Sequence, residues 1–479
     1  MTLAALLIDH PNGAAEPLLH TSEGSMTAGA ARTAARAVSE ALRAAGVVPG
    51  RAVAVQLPNG PDAIVAMFGV WLAGAVFVPV NPRAAEPERR AALSATRPAA
   101  LMTAASLQPL GDPATYEAGV AFVTWTSGTT GAPKPILHTH ANYLELLDRV
   151  LGPLRGSKGA AAAPGGDRRP SPNLVPVPLA LNAGIYNVLF GLRAGAEIVV
   201  MDGFDTGVFA DLVARFSIRS TVLAPAAMAM LSDDPAVVDL APLRYVRSIT
   251  APLSPLQARR FADKFGVVVL NGYGQAEIGE VIGWTAADAR EHPEKLGAVG
   301  RPHAGVAVRI APGPEAEAEA EAGAGDARGA IGRLLVRPPS TAVGIDPARV
   351  DADGYVDTGD LARIDDEGFV WIEGRASDVV NRGGNKVFPE HVEEVLRLVA
   401  GVAEVAVVGV PDERLGEVPV AYVVTTAEVS DADLVAICRE HLAPYKIPVA
   451  FRRIDALPRS EVGKVLRREL AQRPVESQG

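Results

Sequence analysis

The chain holds one cysteine, Cys438, in 479 residues. That excludes an internal disulfide and any cysteine-built metal or iron–sulfur site, and leaves Cys438 as a small apolar residue on a helix. Excess positive charge is also missing. The formal net charge of -10 argues against nonspecific nucleic-acid binding and against attachment to an anionic membrane surface. No basic, apolar, small-residue signal pattern opens the chain, so a cytoplasmic location is expected. One uncharged stretch, Ala63 to Val80, approaches the length of a membrane span, but no Lys/Arg-rich flank orients it and no second such segment exists. It divides at Gly74 into a helix and a β-branched strand ending before Asn81-Pro82. A buried helix–strand pair is predicted there, not a stable membrane insertion. The eight histidines form no convincing metal set. His138 and His140 alternate in LHTHAN without a third ligand nearby, and read as strand-end or loop residues.

What is present fits a globular protein: 21% charged and 48% hydrophobic residues. The length calls for two or more domains. Strand-like runs alternate with helical patterns from roughly residue 25 to 310, among them Ala52 to Leu57, Val76 to Val80, Glu197 to Met201 and Val267 to Leu270. That alternation predicts an α/β architecture with largely parallel sheets. Two low-complexity stretches, Gly156 to Asn173 and Pro312 to Gly329, read as solvated loops. After Gly374 the pattern changes. A helix is expected to start at Pro389, strands at AEVAVVGV and PVAYVV, and a further helix after an N-cap at Ser430. This is a small α+β domain of about 100 residues. Its boundary falls near Arg375 to Asp378, giving domains at 1–376 and 377–479.

Four stretches carry chemistry. In VTWTSGTTGAPKP, Val123 to Pro135, hydroxyls and bare backbone run up to one lysine. Converging N–H groups, hydroxyl donors and a point charge suit a phosphate. The spacing of Gly128, Gly131 and Lys134 is not that of the P-loop, and taken alone the stretch also fits a plain turn. NGYGQAEIGE, Asn271 to Glu280, offers an aromatic face in Tyr273 and a carboxylate in Glu277. In the segment from Gly354, Asp360 can accept hydrogen bonds from sugar hydroxyls and Arg375 can donate from a planar fork, although an ordinary surface pair is also open. LPRSEVGKVLRREL places Lys464 in a turn before a basic helix, where a solvated lysine is the bland alternative.

Taken in this order, the four stretches resemble the adenylate-forming superfamily of acyl-CoA synthetases, peptide-synthetase adenylation domains and luciferases, over nearly the whole chain. The resemblance implies a large N-terminal domain of two β/α subdomains plus a β-barrel, and a small mobile C-terminal domain. It implies a carboxylic acid activated by ATP as an acyl-adenylate, with a thiol then taking the acyl group and AMP leaving. Thr126, Ser127, Gly128, Thr129, Thr130, Gly131 and Lys134 match the loop that holds the β- and γ-phosphates. Asn271, Gly272, Tyr273 and Gly274 match cofactor-binding positions, with Tyr273 stacking on adenine. Glu277 would hold Mg²⁺, Asp360 and Arg375 the ribose. Lys464 would bridge the substrate carboxylate and the α-phosphate. Gly384 and Lys386 match positions at the thiol tunnel. The implied acceptor is coenzyme A, or the phosphopantetheine of an acyl carrier protein.

Several positions depart from the family pattern. Pro135 follows the loop lysine where glycine is usual, and Ala276 replaces a threonine, as in aryl-acid-activating members. Ser377 stands at the hinge position. In the acyl pocket, Leu181 occupies a position that is often aromatic or histidine, and Asn182 matches an asparagine facing a ring hydroxyl in dihydroxybenzoate ligases. Ile249 and Thr250, before Ala251, stand where glycines line an acyl tunnel. A compact acid, aryl or short and branched, is expected over a long straight chain.

Overall fold

In the computed structural model, which describes residues 1–126, 134–154, 170–311, 329–459 and 465–473, the apolar stretch at 63–80 forms a helix, Pro61–Leu72, and a strand, Val76–Pro79. Proline in the first turn suits the helix start. Gly74 separates the two elements at φ +73°, a left-handed conformation that glycine adopts without strain. Both elements are buried, which explains the absence of polar residues. No helix among the described residues is long and apolar enough to cross a membrane. Residues 155–169 and 312–328, the bulk of the two low-complexity stretches, lie outside the described residues.

The chain divides into two compact units. The first comprises Met1–Leu296, Pro302–Val306 and Pro338–Ala348. It contains two sheets of the expected α/β kind. One sheet orders Leu107–Pro109, Ala100–Thr103, Ala52–Gln56, Val76–Pro79, Val120–Thr126 and Lys134–Thr139, parallel except at its two ends. The other runs from Ser25–Thr27 through Pro17–His20, Ile198–Val200, Asn173–Val175, Ser220–Leu223 and Tyr245–Ser248 to the hairpin Val268–Gln275/Gly279–Gly283. Its central pairs are parallel. Such strands are covered on both faces and read as continuous apolar runs such as Ile198–Val200.

The second unit comprises Gly297–Arg301, Ala307–Arg337 and Arg349–Gly479. An antiparallel meander, Ala307–Ala311, Gly332–Arg337, Val356–Ile364 and Val370–Arg375, stands where the barrel is expected. The α+β part follows. Its long hairpin, Val402–Asp412 and Gly416–Thr425, is buried on both faces. Val405 and Val407 join the core beneath the helices Pro389–Leu396 and Asp431–His441, while Ala406 and Val408 join one around Leu457 and Leu470. Ser430 caps the second helix by accepting from the Asp433 N–H.

His138 and His140 are structural. His138 is buried, with Nε2 2.8 Å from the Thr124 hydroxyl and its ring stacked on Phe122 at 4.6 Å. His140 opens the helix His140–Leu154 and accepts the Leu3 N–H at 3.2 Å. Burial lowers the His138 pKa to about 3. The unfolded chain therefore binds an extra proton below about pH 6.5, and this part of the stability is lost as pH falls from there toward 3. We expect the acid limb of a denaturation-midpoint series to be shallower in His138→Gln than in the wild type, by ~1.4 kcal/mol per pH unit. Equal slopes would contradict the buried neutral histidine.

Candidate active site

Several of the expected phosphate-binding residues, Ser127, Gly128, Thr129, Thr130 and Gly131, lie outside the described residues, as do the side chains of Thr126 and Lys134. The backbone of Thr126 and Lys134 is described. Thr126 and Lys134 face each other at the end of the antiparallel pair Val120–Thr126/Lys134–Thr139. Lys464 also lies outside, but its neighbour Val465 bridges Arg459. Three residues beyond Lys464, Arg467 is anchored by the buried Glu393, with Glu390 at 3.3 Å and Asp378 at 3.6 Å.

The segment Asn271 to Glu280 folds as a hairpin, with Tyr273 opposite Ile282 and a turn over residues 276–278. Glycine is required at 274, where a Cβ would sit 2.1 Å from the Gly279 carbonyl oxygen. The turn is fixed from outside, because Ala342 N–H donates to the Glu277 carbonyl at 2.8 Å. The half-buried Glu277 carboxylate is a hard oxygen donor, which suits Mg²⁺. Asn271 is buried, and its side-chain oxygen accepts from the Gly272 N–H.

Beneath this hairpin lies a polar cluster that the motifs do not announce. Glu280 is 7% exposed and takes Arg247 Nη1 at 2.6 Å and His303 Nε2 at 3.2 Å on one oxygen. Its other oxygen accepts the Tyr186 hydroxyl at 3.3 Å. Burial alone would raise the Glu280 pKa, but the Arg247 guanidinium and the His303 and Tyr186 hydrogen bonds hold it below the usual carboxylate value. Gly272 and Gly283 give the carboxylate room: a Cβ at either would lie within 3.0 Å of Glu280 Oε1. The sequence signal was present in the charged residues interrupting the apolar runs YVRSI and GEVIGW.

The acyl-pocket positions diverge. Asn182 starts the helix Asn182–Ala194, and its Oδ1 accepts the Tyr143 hydroxyl at 2.9 Å. Leu181, half-buried, precedes that helix at its N-cap. Ile249 packs against the core, with its Cγ2 3.2 Å from where a Gly272 Cβ would be. Thr250 is exposed and holds φ +85°, unusual for a β-branched residue. Ala251 is half-buried beside it.

In the second unit, Asp360 and Arg375 are cross-strand partners in the meander, and Arg375 Nε lies 2.7 Å from Asp360 Oδ1. Asp360 is 4% exposed, whereas the arginine side chain is 37% exposed. Gly384 lies in a two-residue turn, Gly383-Gly384, with both φ values positive, as type I′ hairpins demand. Lys386 is exposed on the following strand.

Residues 12–118 and 111–345 match the model of the AMP-binding enzyme family, and residues 391–464 match that of the AMP-binding enzyme C-terminal domain. The chain belongs to this family, within the adenylate-forming superfamily, and is an AMP-forming ligase by type. A feruloyl-CoA synthase from an Amycolatopsis species is 31% identical over 471 residues, covering 91% of each chain. A sulfoacetate–CoA ligase from Cupriavidus necator is 30% identical, covering 93% of this chain and 92% of its own. The solved structure of amide bond synthetase McbA from Marinactinospora thermotolerans superposes with a TM-score of 0.81 at 28% identity over 98% of both chains.

Removing one partner of a buried ion pair leaves the other charge uncompensated, at about 3–5 kcal/mol. Arg247→Met and Glu280→Leu should each destabilise by roughly that amount in chemical denaturation. The double variant should recover a large part of the summed loss. Strict additivity would show that the two residues do not act as a pair.

Proposed function

We propose that the protein activates a compact carboxylic acid with ATP and transfers the acyl group to the thiol of coenzyme A. Support comes chiefly from the Tyr273–Glu277 hairpin, whose backbone is held in place by Gly274 and by the Ala342 hydrogen bond to Glu277. The cross-strand pair of Asp360 and Arg375 adds a buried acceptor and a partly exposed donor, a combination suited to ribose hydroxyls. The CoA-ligase names of relatives spanning nine-tenths of the chain support the acceptor.

In the first step, an oxygen of the acid attacks the α-phosphorus of ATP, forming the C–O–P bond as the bond to pyrophosphate breaks. Two anions meet in that step, and Lys464 between them would stabilise the charge gathering on phosphorus. The 127–134 loop would hold the β- and γ-phosphates, and Tyr273 would stack on adenine. Mg²⁺, when bound, offsets charge on the leaving pyrophosphate, and Glu277 is the residue that would hold it. In the second step, a thiolate attacks the acyl carbon and AMP leaves. Gly384 and Lys386 are the residues proposed to meet the thiol. Residues 377–479 are proposed to move as a lid about Ser377 between the steps, a matter of motion distinct from the compact units above.

The acid is proposed to be short. Ile249 fills space beside Gly272, where a glycine would leave room for a longer chain.

Lys464→Ala separates the steps. Adenylate formation should fall by ~10²-fold or more, the scale of losing a preorganised transition-state donor. Conversion of supplied acyl-adenylate to thioester should change far less. Equal losses in both half-reactions would overturn the assignment of Lys464.

A further inference from the structure

The helix His140–Leu154 places Asn142, Leu146 and Arg149 along one face, at the i, i+4, i+7 spacing of a helical stripe. With the turn at Ala276 and Glu277 they line a cavity of about 20 Å³, room for one small polar group. Arg149 is the unusual part of its wall. Its side chain is 2% exposed, yet among the described residues only one of its nitrogens makes a hydrogen bond: Nη2 donates to the Ile278 carbonyl at 3.2 Å. Nε and Nη1 have no hydrogen-bond partner among the described residues. The nearest acidic oxygen, Glu145 Oε2, lies 3.6 Å from Nη1 and already accepts the Ser340 hydroxyl at 2.6 Å. Glu280, the other carboxylate acting on Arg149, is occupied by Arg247 and His303. Burial lowers the Arg149 pKa, against the opposing pull of Glu145, Glu280 and Tyr186.

A buried guanidinium with donors unmet is costly, because it has lost water without gaining acceptors. Glu145 already forms an ion pair with Nη1, so what an oxygen-rich anion entering the cavity would add is the missing acceptors. The cavity is lined by Ala276 and Glu277 of the candidate adenylation hairpin, so a group seated there can belong to the molecule being activated. Asn182, on the same wall, has its Oδ1 taken by Tyr143, which leaves its amide N–H groups to donate.

We propose that this cavity is a substrate subsite in which Arg149 receives a second oxyanion, a carboxylate or sulfonate, carried at the far end of the acid that the enzyme activates. The proposal rests on the ligase reading above and narrows its substrate to compact acids with two anionic ends.

The test is acid-dependent pyrophosphate release with matched pairs differing only at the far end: glutarate against hexanoate, and isophthalate against 3-ethylbenzoate. The wild type should favour the doubly charged member of each pair by ~10-fold or more in kcat/KM. In Arg149→Met that preference should vanish, the diacids losing the same ~10-fold or more, mostly in KM, with little change for the monoacids. Thermal melting checks that the variant is folded. Should it not fold, the wild-type comparison decides alone. Release with monoacids at equal or better efficiency would overturn the subsite while leaving the ligase reading standing, and the cavity would then hold a trapped water only. No release with any acid would overturn both. A melting-temperature rise of the wild type with glutarate alone, absent in Arg149→Met, would support the subsite independently of catalysis.

Discussion

The Glu280 carboxylate sits in the interior of the first unit, and the arrangement around it depends on keeping that charge compensated. A buried carboxylate is tolerated only where hydrogen-bonding cations and donors surround it. Here they arrive from a parallel strand through Arg247, from a helix through Tyr186 and from the segment Pro302–Val306 through His303. Three separate parts of the chain are thus tied to one hairpin. The hairpin's upper side presents Tyr273 and Glu277, and its glycines at 272 and 283 are the places where the carboxylate comes closest to the backbone. The polar cluster and the candidate adenylation residues are therefore carried by one element, Glu280 on its second strand, Tyr273 on its first and Glu277 in the turn.

The second unit solves a different problem. Its hairpin strands are apolar on both faces and must be covered twice, which the flanking helices do on one side and the Leu457–Leu470 core on the other. The charge that remains inside is again paired: Glu393 accepts the Val407 N–H at 2.8 Å and holds Arg467. Arg467, three residues after Lys464, opens the helix Arg467–Ala471.

Much of this was legible in the sequence. The division at Gly74, the helix at Pro389 and the Ser430 cap follow from local chemistry, since each depends on a residue whose backbone or side chain acts on its immediate neighbours. The hairpin around Tyr273 was legible through its glycines. The Glu280 cluster was not, because its members lie 33, 23 and 94 residues from Glu280 and meet only when the sheet forms. Charged residues inside apolar runs were the available hint, and a single sequence gives no means of pairing them. Arg149 was hidden for the same reason: on a helix, an arginine reads as solvated until packing shows otherwise. Thr250 illustrates a third limit. Its bulk was readable, whereas its exposure and its positive backbone angle come only from the structure.

The central claim is that these residues serve an AMP-forming activation of a carboxylic acid. Its most direct test is the nucleotide balance of a complete reaction containing ATP, Mg²⁺, coenzyme A and a panel of compact mono- and diacids. The account predicts AMP and pyrophosphate in equal amounts, matched by acyl-CoA and dependent on the acid. Formation of ADP and phosphate in their place, or AMP release that is indifferent to the acid, would contradict it.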